Sequence, residues 1–189
     1  MMQIRIHGRG GQGVVAMAEI LAIAFFDNGQ TAQAFPHFGV ERSGAPIQSF
    51  VRVSDQEISS REHVYEPDIL VVLDDSLIGK ADIFVGIKPK TKIIINSKES
   101  AEKLLIEFKK SAKLPQGFSE KNIFVSDATS LALEVFGKNM VNTAMLGALC
   151  KVPGLIKKES AILAVKEKFS YKGPEILEKN ISIINKITN

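Results

Sequence analysis

A glycine-rich loop near the amino terminus is the first segment whose composition suggests chemistry. The loop reads Gly8-Arg9-Gly10-Gly11-Gln12-Gly13, which is the pattern G-x-G-x-x-G. It stands between a short β-type stretch and a helical one, where such a loop can bring backbone N–H groups to an anion at a helix N-terminus. The loop therefore predicts a site for a phosphate, another polar ligand or a partner chain. The alternative is that the glycines only let helix and strand pack closely.

An acidic residue that a dinucleotide site needs is missing from this sequence. In dinucleotide-binding folds an acid about 20 residues further on, at the end of the second strand, binds a ribose hydroxyl. Here that strand ends in Gln33-Ala34-Phe35-Pro36, and the nearest acids are Asp27 before it and Glu41 after it. The sequence therefore disfavours a nicotinamide site in which an acidic residue binds the ribose.

A second segment, residues 34–46, combines glycine, proline, charge and two phenylalanines. Loops that follow parallel strands gather at one edge of a sheet, so we expect this segment beside the glycine loop. Its candidates for binding a ligand or partner are His37, Glu41, Arg42, Ser43 and Gly44. A lone histidine such as His37 is more often a structural donor than an acid–base group.

Three further positions carry weaker signals. Asn142 begins a helix of small and apolar residues that fits either the core or a subunit contact, and it completes the predicted binding set. Asp74 ends an apolar run and is expected to cap the following turn rather than bind a metal. Cys150 lies in an apolar helix and is expected to be inert. We predict no catalytic residue and no metal ligand in this chain.

Composition restricts the class of protein. The 189 residues, 45% hydrophobic and 24% charged, predict one globular domain over residues 1–189. The formal net charge of +3 is too mild to suggest a nucleic-acid partner. The longest apolar run, residues 20–26, is too short to span a membrane, so a cytoplasmic location is expected. One cysteine cannot supply the four thiolates of an iron–sulfur cluster.

The distribution of charge suggests where recognition takes place. All arginines and histidines precede residue 64, whereas every lysine lies at residue 80 or beyond. Arginine forks recognise phosphates and carboxylates, while lysines mostly solvate surfaces. The arginines therefore predict recognition in the first third of the chain; a compositional bias towards surface lysine is the alternative.

The elements that must position these residues alternate between strand and helix. Predicted strands cover residues 3–7, 30–35, 47–53, 68–74, 91–96 and 122–126, and predicted helices cover 14–28, 100–110, 128–136, 140–150, 158–169 and 174–187. This order predicts an α/β fold: a Rossmann-like, mostly parallel sheet with helices on both faces. No helix precedes strand 47–53, so we expect it to pair antiparallel at an edge.

These segments resemble one known family in their order and spacing. The carriers of the resemblance are His7-Gly8-Arg9-Gly10-Gly11-Gln12-Gly13, residues 34–46, Pro67-Asp68 and the helix from Asn142 to Gly147. Together they resemble the gamma subunit of the 2-oxoacid:ferredoxin oxidoreductases, among which the pyruvate enzyme is most similar. The resemblance covers nearly the whole chain, and residues 34–46 are its most specific part.

The resemblance implies a complex that converts a 2-oxoacid, coenzyme A and oxidised ferredoxin to acyl-CoA, CO2 and reduced ferredoxin. It implies thiamine diphosphate with magnesium on the alpha and beta subunits, and [4Fe-4S] clusters on beta and delta. The gamma chain is then a domain without a redox centre, inactive alone. We expect it to support assembly and coenzyme A access.

Other functions stay open at this point. Related gamma subunits serve the 2-oxoisovalerate, 2-oxoglutarate and indolepyruvate enzymes. A stand-alone nucleotide-binding protein of the nicotinamide dehydrogenase type is a different class, and it predicts that NAD raises the melting temperature. A pure scaffold, whose glycine loop is filled by a neighbouring subunit, predicts no such shift and firm co-purification with the alpha, beta and delta chains.

Overall fold

The computed structural model describes residues 1–37, 44–60 and 62–189. Its strands are β1 (Met2–Arg9), β2 (Thr31–His37), β3 (Pro46–Ser54), β4 (Ile69–Val72), β5 (Lys92–Asn96) and β6 (Ile123–Ser126). Its α-helices are α1 (Val14–Asp27), α2 (Ala101–Ser111), α3 (Ala128–Phe136), α4 (Asn142–Cys150), α5 (Lys158–Phe169) and α6 (Pro174–Thr188). Each predicted strand and helix is present, with ends shifted by only a few residues.

One six-stranded sheet in the order β2-β3-β1-β4-β5-β6 forms the centre of the molecule. Strands β1, β4, β5 and β6 run parallel, and β3 runs antiparallel to both β1 and β2. The predicted α/β fold is confirmed. We call the side where β1, β2, β4, β5 and β6 end the carboxyl edge of the sheet.

The predicted edge position of β3 is wrong, although its antiparallel pairing is confirmed. Strand β3 lies between β1 and β2, and the edge strand is β2. Residues 50–53 of β3 are buried, which requires paired neighbours on both sides, whereas β2 is only half-buried. Pro36 in β2 lacks an N–H group to donate to a ladder, and an edge tolerates that lack.

Helices cover the two faces of the sheet unequally. Helices α1, α3, α4, α5 and α6 pack on one face around a large core that includes Ile4, Val51 and Val71. Helix α2 covers the other face over β4 and β5, where Leu70, Val72 and Ile93 are buried. On the opposite face of β1 and β3, Arg5 and Arg52 bond to an irregular segment rather than to a helix. In the described ranges we find no helix with the length and apolarity to cross a bilayer.

Candidate functional site at the carboxyl edge

The glycine loop connects β1 to α1 at the carboxyl edge, and two of its glycines are required by packing. A Cβ atom on Gly8 would lie 2.6 Å from Val14 Cγ2 and 3.1 Å from Leu73 Cβ. Gly13 has φ +80°, and a Cβ there would lie 2.8 Å from Asn142 Nδ2. In contrast, Gly11 (φ +96°) has open space around it and is exposed. Close packing thus explains the ends of the loop but not its open tip.

The interior of the glycine loop is held by Gln12 of the same chain. The Gln12 side chain is buried, accepts a hydrogen bond from the Arg9 backbone N–H (2.8 Å) and donates one to Asp74 (2.8 Å). A neighbouring subunit is therefore not needed to fill the space under the loop. The loop is preorganised, with its tip facing solvent.

Arg9 is part of this preorganisation rather than a free charged fork. Its guanidinium donates to the Ser76 hydroxyl (2.8 Å) and to the Gly44 carbonyl (3.0 Å), and its Nε lies 3.3 Å from an Asp74 carboxylate oxygen. These bonds connect the loop after β1 with the loop after β4 and with residue 44. Binding of a phosphate by Arg9 stays a prediction, and it would require exchange of these bonds.

Asp74 caps the turn that follows β4, as predicted. Its carboxylate accepts hydrogen bonds from the Ser76 backbone N–H (3.0 Å) and from the Ser76 hydroxyl. Burial alone would raise the pKa of Asp74, but bonds from Ser76 and Gln12, together with the charge of Arg9, lower it below its usual value. The group is therefore a charged structural acceptor at neutral pH.

The second predicted segment meets the glycine loop directly. The Gly10 N–H donates to the Ala45 carbonyl (2.9 Å), and the Gly44 N–H donates to the Gly10 carbonyl (3.1 Å). The expected proximity of these two segments is thus observed at residues 44 and 45. Glu41, Arg42 and Ser43 lie outside the described residues.

The remaining predicted site residues fall on two sides of this edge. Asn142 begins α4, is buried and packs against Gly13, so it belongs to the base of the glycine loop. His37 is the last residue of β2, on the sheet face opposite α1, where its Nδ1 lies 3.0 Å from His63 Nε2. The structure therefore brings Gly8–Gly13, Gly44 and Asn142 together, and it places His37 at the flank.

Two arginines have roles that the sequence analysis did not predict. Arg5 and Arg52 are only 5% and 2% exposed, and they donate to backbone carbonyls of this chain. The described arginines therefore bond internally, and recognition of a ligand by arginine remains a prediction for Arg9 and Arg42. Each of the two lies between β-branched apolar residues in a strand. This alternation was the feature of the sequence from which a structural role in the sheet could have been predicted.

His7, the residue before the glycine loop, is a buried histidine held neutral. It is 3% exposed, and burial, reinforced by the charge of Arg5, lowers its pKa to about 3. At neutral pH the ring therefore carries no charge and contributes no attraction to an anion in the loop.

This burial predicts acid sensitivity. Between pH 6.5 and about 3 the unfolded chain binds a proton at His7 that the folded chain does not. Stability is therefore expected to fall with decreasing pH, by about 1.4 kcal/mol per unit from this group. Urea unfolding at pH 7, 5.5 and 4.5 measures the slope, and a His7→Gln variant should show a shallower one. Equal slopes for the two proteins would contradict the assignment.

The structure offers no evidence for a metal centre in the described part of the chain. No group of three or more histidine, cysteine, aspartate or glutamate side chains lies close enough there to hold an ion. Cys150 is a free cysteine, and burial, followed by the nearby Glu159, raises its pKa to about 11. Its thiol is therefore protonated at neutral pH and is a poor nucleophile and ligand.

Comparisons with known proteins extend over nearly the whole chain. The profile of the family described as pyruvate ferredoxin/flavodoxin oxidoreductase matches residues 3–189. The Pyrococcus furiosus pyruvate/ketoisovalerate oxidoreductases common subunit gamma is 44% identical over 180 residues, 95% of this chain and 91% of that protein. The Methanothermobacter thermautotrophicus pyruvate synthase subunit PorC is also 44% identical, with 95% and 90% covered.

A solved structure shows the same fold. The crystal structure of the pyruvate oxidoreductase subunit PORC from Thermotoga maritima is 33% identical to this chain, with a TM-score of 0.79. The match covers 99% of this chain and 94% of that one. The similarity therefore extends through the glycine loop, the mixed sheet and the carboxyl-terminal helices.

The fold and these comparisons define a class: an α/β oxidoreductase subunit, which here has a preorganised glycine loop at the carboxyl edge of its sheet. The chain belongs to the pyruvate ferredoxin/flavodoxin oxidoreductase family. Within that family it is a gamma-type subunit of a 2-oxoacid:ferredoxin oxidoreductase, and the resemblance noted in the sequence is confirmed.

Proposed function

We propose that this chain supports assembly of the oxidoreductase and forms part of the approach by which coenzyme A reaches the acyl group. The observation that carries the proposal is the direct bonding of the glycine loop to residues 44 and 45. It fixes the open tip at Gly11 beside residues 44 and 45, which follow Arg42 in the sequence. Backbone N–H groups, a helix N-terminus and an arginine suit the phosphates of coenzyme A.

The chemistry of the complex is assigned to other chains in this proposal. Thiamine diphosphate with magnesium on the alpha and beta subunits supplies decarboxylation, and [4Fe-4S] clusters on beta and delta pass electrons to ferredoxin. The residues of this chain bind and orient phosphate groups, and they hold the loop while the thiol end reaches its partners. The buried neutral His7 and the protonated Cys150 take no part.

Pyruvate is the proposed 2-oxoacid, and 2-oxoisovalerate is the second candidate. The Pyrococcus furiosus relative is named as common to pyruvate and ketoisovalerate enzymes. A shared gamma chain is expected if the contacts that select the 2-oxoacid lie on other subunits. This chain would then serve either substrate.

A nicotinamide site is not favoured by the geometry. The strand whose end lacks the ribose acid, β2, is separated from β1 by β3. The acid that does approach the glycine loop is Asp74, and its carboxylate is already bonded to Gln12 and Ser76. A dinucleotide ribose would have to displace these bonds.

The proposed role predicts a selective loss of coenzyme A affinity. In the assembled complex, Arg42→Ala should raise the KM for coenzyme A about 10-fold or more, because a hydrogen bond to a charged group contributes roughly 1.5–3 kcal/mol. Arg9→Ala should act in the same direction by loosening the loop. Steady-state acyl-CoA formation at varied coenzyme A measures the effect.

The matched control removes a positive charge elsewhere. Lys121 is exposed and precedes β6, at the edge opposite the glycine loop. Lys121→Ala should leave the KM for coenzyme A unchanged. If Arg42→Ala and Arg9→Ala also leave it unchanged, this chain has no part in coenzyme A access.

A further inference from the structure

An irregular segment, residues 57–60 and 62–66, bonds to arginines on the sheet face opposite α1; we call it the strap. Arg52 donates to the carbonyls of Ser60 (3.2 Å) and Glu62 (2.6 Å). Arg5 donates to the carbonyls of Val64 (3.2 Å) and Tyr65 (3.1 Å). Two buried guanidinium groups therefore fix the strap on both sides of residue 63.

The strap presents the His63 side chain to the end of the edge strand. Its ring stacks on the buried ring of Phe50 in β3, with centroids 5.2 Å apart and an interplanar angle of 28°. Its Nε2 lies 3.0 Å from Nδ1 of His37, and the two rings are perpendicular. The pair shares a hydrogen bond in which either ring can be the donor.

The position of His37 gives this hydrogen bond its significance. His37 is the last residue of β2, which is paired only with β3, and its neighbour Pro36 has no N–H to donate. The hydrogen bond to His63 adds a second support to the end of this strand.

We propose that His63 is a positioning residue for the site at the carboxyl edge. Held by Phe50 and by the arginine-bound strap, it fixes the end of β2, where His37 pairs with Gln48 of β3. The neighbouring residue of β3, Ile47, pairs with Gly8 at the start of the glycine loop. The effect on coenzyme A rests on the function proposed above. The effect on the end of β2 does not depend on it.

Three substitutions separate the contacts of His63. His63→Ala removes the stacking and the hydrogen bond. His63→Phe keeps an aromatic ring on Phe50 without a hydrogen-bonding atom. His63→Gln provides an amide that can donate to or accept from His37. Ser59→Ala, at an exposed position of the same strap, is the matched control.

Hydrogen exchange of the full chain tests the structural claim. In the Ala and Phe variants, the backbone amides of Phe35, His37, Ile47 and Gln48 should exchange about 2- to 10-fold faster, as expected for the loss of one hydrogen bond. The Gln variant and Ser59→Ala should exchange like the unmodified chain. Unchanged exchange in the Ala and Phe variants, or equally fast exchange in the Gln variant, overturns the proposal.

Kinetics of the assembled complex test the functional consequence. The Ala and Phe variants should raise the KM for coenzyme A about 2- to 10-fold with kcat retained, and the Gln variant should restore it. Faster exchange with an unchanged KM supports the role of His63 at the end of β2 and overturns its effect on coenzyme A binding, whereas the coenzyme A approach itself is overturned only by unchanged KM values in Arg42→Ala and Arg9→Ala. The two hypotheses therefore fail separately.

Discussion

Replacing Arg5 by methionine is expected to lower the free energy of unfolding by about 3 kcal/mol or more. The guanidinium donates to four carbonyls, those of Val64, Tyr65, Ile83 and Val85. Methionine keeps much of the volume but leaves these acceptors without their donor. The bonds to Val64 and Ile83 are buried, and each buried unsatisfied group costs about 1–3 kcal/mol. Burial lowers the pKa of Arg5 to about 10, so the group remains charged at neutral pH.

Urea unfolding of Arg5→Met beside Lys88→Met checks this prediction. Lys88 forms an ion pair with Glu66 at the end of the same strap (3.0 Å), but both side chains are about half exposed or more. An exposed pair of this kind contributes about 0–1 kcal/mol. Similar losses of stability in the two variants would show that Arg5 is not the main attachment of the strap.

Replacing Gly86 by alanine is expected to lower the free energy of unfolding by about 2–5 kcal/mol. Gly86 has φ +76°, and a Cβ atom there would lie 1.9 Å from the Tyr65 carbonyl oxygen. The backbone must move to relieve this overlap, which costs about 1–3 kcal/mol, and the left-handed conformation adds about 1–2 kcal/mol. Thermal and urea unfolding of the variant measure the total.

Gly29→Ala separates backbone strain from the steric overlap. Gly29 has φ +85°, but no atom lies within 4 Å of its would-be Cβ. Gly29→Ala should lower the free energy of unfolding by only about 1–2 kcal/mol. If Gly86→Ala costs no more than Gly29→Ala, the strap can shift away from residue 86 without loss.

The Arg5 and Gly86 substitutions should not be additive. The Tyr65 carbonyl accepts from Arg5 and is also the atom that a Cβ on Gly86 would strike. Once either substitution has displaced the strap, the second substitution removes fewer of the remaining contacts. A double variant should therefore lose less stability than the sum of the single losses.

The sequence by itself determined the order and type of the elements and the family. Alternating apolar strands and helices are local patterns, and a glycine loop between a strand and a helix has a local cause in backbone geometry. The expected contact between this loop and the segment near Gly44 was also predictable. It follows from parallel strands ending at one edge.

Only the tertiary structure decided which contacts the polar side chains make. The sequence suggested that arginines recognise ligands, yet Arg5 and Arg52 hold the strap because their strands bury that face of the sheet. The interior place of β3, and the meeting of His37 with His63, depend on pairings between segments that no local pattern specifies. Periodicity predicts which face of a strand is apolar, but it does not predict which distant segment will cover the polar face.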